Sequence, residues 1–305
     1  MRFLPIILIA ISFCATAQNK IAFLGTGNHS SLKLFDYLPS SSADNFTTSD
    51  GMIYVEAEVN GEKGMYLFDT GAPSLVLNAS PAEISSNNAT KACAVSSNLS
   101  ISYINIEQFN WGDFRKGSFE GLLVDLHHFD GPFNKGIDGL IGYEIFKEKV
   151  VLVDYPGQKI DLLTGRTFKK LIKEHQPTYT FDFNLDQHLP VIEVEIDGKA
   201  YKLALDTGAE KNLLDLSLEK EVTFKNLNTD FLQGLDQNIQ KVKSGEVSFI
   251  KAGNYKVLEP SFLLTDLSHL KNPEFGYDLD GLLGLPFLAG RQFAIDYRKH
   301  KIYIW

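Results

Sequence analysis

The chain has 305 residues, 44% hydrophobic and 22% charged, with a formal net charge of −9. That length holds one large domain or two of ordinary size, with enough apolar mass for packed cores. The acidic balance excludes nucleic acid as a partner, because phosphate binding needs clustered Lys and Arg.

Residues 1–17 read as a cleaved export signal, with Arg2, an apolar core from Phe3 to Phe13, and small Ala15 and Ala17. The apolar run is too short for a membrane span, and no other run approaches that length. The expected product is therefore exported, periplasmic or extracellular, with no integral membrane segment. A lipid anchor through Cys14 is the alternative, and the bulky Phe13 before it fits that poorly. Once the signal is removed Cys93 is the only cysteine, so an internal disulfide is excluded and the fold rests on core burial. Residues 18–49 form an N-terminal segment with no basic run.

From Met52 to Val59 apolar and polar residues alternate, as in a half-buried strand. Asn60-Gly61 then supplies a tight hairpin turn, and the return strand Met65 to Phe68 runs into Asp69-Thr70-Gly71-Ala72. Leu140-Ile141-Gly142 follows, then a short helix at "YEIFKEK" and the strand pair "VLVDYPGQKIDLL". The polar stretch 165–178, with Pro177, reads as a linker or exposed helix.

The chain then starts again. Val191 to Ile196, Asp197-Gly198 and Tyr201 to Leu205 lead into Asp206-Thr207-Gly208-Ala209, 137 residues after the first triplet. Leu282-Leu283-Gly284, a short helix at "PFLAG" and "FAIDYRKHKIYIW" complete the copy. Four blocks recurring in one order describe a duplicated domain. The expected organisation is a signal at 1–17, the N-terminal segment at 18–49, a first lobe at 50–163, a linker at 164–179 and a second lobe at 180–305.

Asp, Thr and Gly are common turn formers, so a single copy of the triplet has a bland reading. Two homologous lobes facing each other across a pseudo-two-fold axis would bring both turns to that axis. Two carboxylates in one site cannot both ionise cheaply. One proton is then shared, leaving one general base and one general acid. Other acidic and imidazole groups carry less. Asp138, Asp154, Asp280 and Asp296 read as turn stabilisers, and the repeated His128 and His269 lack the companions a metal site needs.

The paired motifs resemble those of the pepsin and retropepsin superfamily of aspartic peptidases. The resemblance rests on Asp69-Thr70-Gly71 with Leu140-Ile141-Gly142 and on Asp206-Thr207-Gly208 with Leu282-Leu283-Gly284. Ala72 and Ala209 after the triplets are closer to the retroviral type. It implies an all-β fold of two homologous retropepsin-like β-barrel lobes in one chain, a monomeric pseudo-dimer. It also implies an aspartic endopeptidase for peptide or protein substrates, working without a cofactor or metal. Asp69 and Asp206 would activate water. Thr70 and Thr207 would bond across the axis, Gly71 and Gly208 would offer N–H groups to the carboxylates, and Gly142 and Gly284 would pack beneath the loops. The resemblance further implies a hairpin flap between the two motifs of each lobe, with candidates around 94–101 and 233–242, neither of which has the Gly-rich tip of a retropepsin. A peptide binder and an envelope structural protein of the same fold are the alternatives.

Overall fold

The computed structural model describes residues 34–37, 44–87, 90–93, 98–129, 136–234, 239–271 and 278–305. The signal, Cys14 and most of the N-terminal segment lie outside the described residues, as do the flap positions 94–97 and 235–238.

The fold is mostly β, and its two halves start from the same local device. Asn60 and Gly61 take φ of 52° and 90°, and Asp197 and Gly198 take 51° and 77°. Positive φ at both central residues matches the twist of the flanking strands. Met52–Val59 thus pairs antiparallel with Glu62–Phe68, and Leu189–Ile196 with Lys199–Leu205.

Around these hairpins two ten-stranded sheets form. The first runs Thr90–Cys93, Asn98–Ile106, Phe119–Val124, Val76–Asn78, Gly139–Ile141, Glu62–Phe68, Met52–Val59, Phe109–Trp111 and Phe114–Lys116, with Thr47–Ser49 beside Met52–Val59. The second runs Lys225–Gln233, Ile239–Glu246, Ser261–Thr265, Asn212–Asp215, Gly281–Leu283, Lys199–Leu205, Leu189–Ile196, Phe249–Ala252 and Tyr255–Leu258, with Asn184–Asp186 beside Leu189–Ile196. Element for element the orders match. In each sheet the strand ending at the Asp pairs in parallel with the strand of the apolar-apolar-Gly motif.

A third sheet joins the halves. Its order is Asp44–Asn45, Lys159–Leu163, Val150–Asp154, Gln292–Asp296, Lys301–Ile304 and Tyr179–Asp182, so each half supplies three strands. Leu152 lies opposite Ala294 at the seam, and every residue of the two seam strands is buried. The seam explains why each half carries a strand as apolar as "VLVD" or "FAID". Strands covered on both faces read as continuous apolar runs.

The strands Asp44–Asn45 and Thr47–Ser49 already belong to the sheets, so the first half begins before residue 50. The linker 164–179 is a helix, Gly165–Glu174, capped by Thr164, whose hydroxyl accepts from the Thr167 N–H at 3.2 Å. Its Phe168 and Leu171 are buried with Leu34, Val150, Leu163 and Tyr303, so it covers the joining sheet. Tyr179, at its far end, opens a strand of that sheet. No described helix is long and apolar enough to cross a membrane.

Candidate active site

Asp69 and Asp206 each follow the last residue of a buried strand. The Asp69 N–H donates to the Ile141 carbonyl at 3.0 Å, and the Asp206 N–H to the Leu283 carbonyl at 2.9 Å. Each later motif therefore holds one acid in place. Gly142 and Gly284 pass so close under the loops that no side chain fits. A Cβ on Gly142 would stand 2.4 Å from the Ala72 carbonyl oxygen, and one on Gly284 2.6 Å from that of Ala209. The chain turns off there, with the Tyr143 and Leu285 N–H groups donating to those same carbonyls at 2.9 Å.

The structure brings the two triplets together. The Thr70 hydroxyl donates to the Leu205 carbonyl at 2.8 Å and accepts the Thr207 N–H at 3.0 Å. Reciprocally, the Thr207 hydroxyl donates to the Phe68 carbonyl at 2.9 Å and accepts the Thr70 N–H at 3.0 Å. Each acid also accepts from its own turn, Asp69 from the Gly71 N–H at 2.7 Å and Asp206 from the Gly208 N–H at 2.9 Å. Asp69, Thr70, Asp206 and Thr207 have no solvent exposure, and neither do Ala72 and Ala209. The Asp69 carboxyl reaches over to the other turn, since a Cβ on Gly208 would lie 2.6 Å from its Cγ and 2.8 Å from both oxygens.

Burial raises the Asp69 carboxyl well above the ordinary carboxylate range. The Gly71 N–H, the hydrogen-bonding side chain of Asp206, and the N–H groups of Ala72 and Gly208 pull it back only in part. An acid held protonated towards neutral pH beside a second acid can keep one proton between them.

Residues 192–287 match the family model described as aspartyl protease. The match supports an aspartyl protease of retropepsin-like kind. It takes in Asp206-Thr207-Gly208 and Leu282-Leu283-Gly284, while the first copy lies outside the matched stretch. No curated protein matches the chain.

Other predicted residues take structural places. Asp138 and Asp280 accept from the Met65 and Lys202 N–H groups at 2.7 and 2.9 Å, pinning the strands that lead to the acids. Asp154 accepts from the Gly157 N–H at 2.9 Å and Asp296 from that of Lys299 at 3.1 Å, each closing a turn. His128 packs against Phe129 with the rings tilted by 42°, and burial lowers the pKa of His269. No group of three potential metal ligands occurs among the described residues. The flap candidates fall on the hairpins of Thr90–Cys93 with Asn98–Ile106 and of Lys225–Gln233 with Ile239–Glu246. Two cavities of about 380 Å³ lie elsewhere, one lined by Asp44, Trp111 and Asp161, the other by Phe181, Glu193 and Gly253.

Three neighbours of the site escaped the sequence reading. Burial pushes Glu210, next to Ala209, up to about 7 despite Lys211. The Asn212 side chain accepts the Gly284 N–H at 3.1 Å and donates to the Ser261 carbonyl at 3.0 Å. His188, buried, lies with Nε2 2.9 Å from the Gly71 carbonyl oxygen. All three stand where the copies differ, opposite Pro73, Leu75 and Gly51 at the offset of the triplets, 137 residues. Comparing the copies for differences would have found them.

Proposed function

We propose that the chain is an exported aspartic endopeptidase whose two lobes each supply one acid of a single dyad, Asp69 and Asp206. The observation that carries this is the reciprocal bonding of Thr70 and Thr207, which ties the two Asp-bearing turns to each other. The matched sheet orders support the two-lobe description. The layout of residues 1–17 supports export.

In this reading a water lies between the carboxyls. The ionised acid takes its proton as the oxygen attacks the scissile carbonyl, and the protonated acid hydrogen-bonds the carbonyl oxygen. The amine then leaves after receiving a proton from the pair, with no covalent intermediate. Rigid loops matter because a proton shared between two acids is useful only while their spacing is held. The substrate is an extended peptide. Ala72 and Ala209 offer no hydroxyl to stabilise the anion, so activity should extend towards neutral pH.

Mass-spectrometric mapping of cuts in a mixed peptide pool from pH 3 to 8 tests the reading. Cleavage by the purified protein that disappears in both Asp69→Asn and Asp206→Asn supports it. Folded protein that cuts nothing shifts the assignment to a peptide binder of the same fold.

A further inference from the structure

The two halves differ at one turn that touches the site. In the first half, Thr47–Ser49 and Met52–Val59 are joined by Asp50 and Gly51, at φ of 50° and 82°. In the second half, Asn184–Asp186 and Leu189–Ile196 are joined by Gln187 and His188, and only Gln187 has positive φ, at 53°. His188 thus stands where its counterpart has no side chain, and it leaves the left-handed region that Gly51 uses. Its ring crosses to the other half and meets the Gly71 carbonyl at 2.9 Å. Because a carbonyl only accepts, Nε2 carries the hydrogen and donates.

The peptide unit it grips joins Gly71 to Ala72, and the N–H at the other end of that unit, on Ala72, is one of those that favour the Asp69 anion. A hydrogen bond to a peptide carbonyl polarises the unit and strengthens its N–H as a donor. We infer that His188 is a positioning residue: by holding the Gly71–Ala72 peptide it strengthens the Ala72 N–H as a donor and favours the anion on Asp69 relative to Asp206. This rests on the dyad reading above and adds to it a direction, since symmetric loops would give neither acid the preference. Burial pushes the His188 imidazole down to about 4, so it stays a neutral donor above that pH. The titratable side chains that interact with Asp69 are Asp206 and the buried hydroxyl of Tyr297.

The test uses the full chain carrying carboxyl-¹³C aspartate, with the Asp69 signal assigned through Asp69→Asn. In His188→Leu the Asp69 midpoint should rise by about half a pH unit, since a lost donor to an anion raises its pKa. His188→Gln, which can still reach the carbonyl with an N–H, should restore the wild-type midpoint. Peptide cleavage should follow, with kcat down about tenfold in His188→Leu, KM within about twofold, and the acidic limb of the profile moved upward. If His188→Leu does not fold, His188→Asn, whose amide falls short of Gly71, takes its place. An unchanged Asp69 midpoint, or a Gln variant as altered as the Leu variant, overturns the inference. Wild-type protein that cuts no peptide overturns the peptidase reading instead, and the carbon titration still decides the role of His188.

Discussion

Replacing Thr207 by Val keeps the side-chain shape and removes only the hydroxyl. That hydroxyl donates to the Phe68 carbonyl at 2.9 Å and accepts the Thr70 N–H at 3.0 Å, with Phe68, Thr70 and Thr207 all fully buried. The substitution strands one carbonyl and one N–H in the interior. Each unsatisfied buried group costs about 1–3 kcal/mol, so the fold should lose about 2–6 kcal/mol. Thr207→Ser keeps both bonds and loses one buried methyl, a cost of about 1 kcal/mol. Thr70→Val should match Thr207→Val, because its hydroxyl makes the mirror pair of bonds. The double variant should lose less than the sum, since a loop released by one change can relax around the other. Urea unfolding of the four variants measures this. A Thr207→Val protein within about 0.5 kcal/mol of wild type would refute the argument that these bonds lock the turns together.

Gly208→Ala should abolish cleavage while a fold remains, because the added Cβ would meet the Asp69 carboxyl at 2.6–2.8 Å; an active Gly208→Ala enzyme would show that the acids are not so close. Gly142→Ala should instead act on stability, losing at least about 1–3 kcal/mol, because its Cβ would meet backbone oxygens at 2.4 Å. Asp69 gives a signed pH effect. Its folded pKa lies above the unfolded 3.8, so the folded protein holds that proton longer and stability falls as pH rises from about 4 towards the raised value. Asp69→Asn removes that slope and should gain on wild type above pH 4, with the gap closing below it; parallel stability curves would contradict the burial argument.

Much of this was legible because the sequence shows each of these turns twice. The Asn60-Gly61 and Asp197-Gly198 turns, the strands leading to the acids, and the short helical turns Tyr143–Phe146 and Leu285–Phe287 follow from local chemistry that a sequence displays directly. The joining sheet was less legible. Its seam pairs Val150–Asp154 with Gln292–Asp296, residues about 140 apart whose apolar runs say that they are buried but not against what. The helix Gly165–Glu174 was one of two readings of its polar sequence, which did not show that Phe168 and Leu171 are its buried anchors. His188 and Asn212 were invisible to a search for likeness, because each does its work where its counterpart is Gly51 or Leu75.

If Asp69 and Asp206 form one dyad, a cycle of Asn substitutions will show it. We would measure kcat/KM on one mapped peptide for wild type, Asp69→Asn, Asp206→Asn and the double variant. Groups that act as a unit are not additive, so each single change should remove nearly all activity and the double change should remove little more. Substantial activity left in either single variant, or losses that multiply in the double, would contradict a shared site.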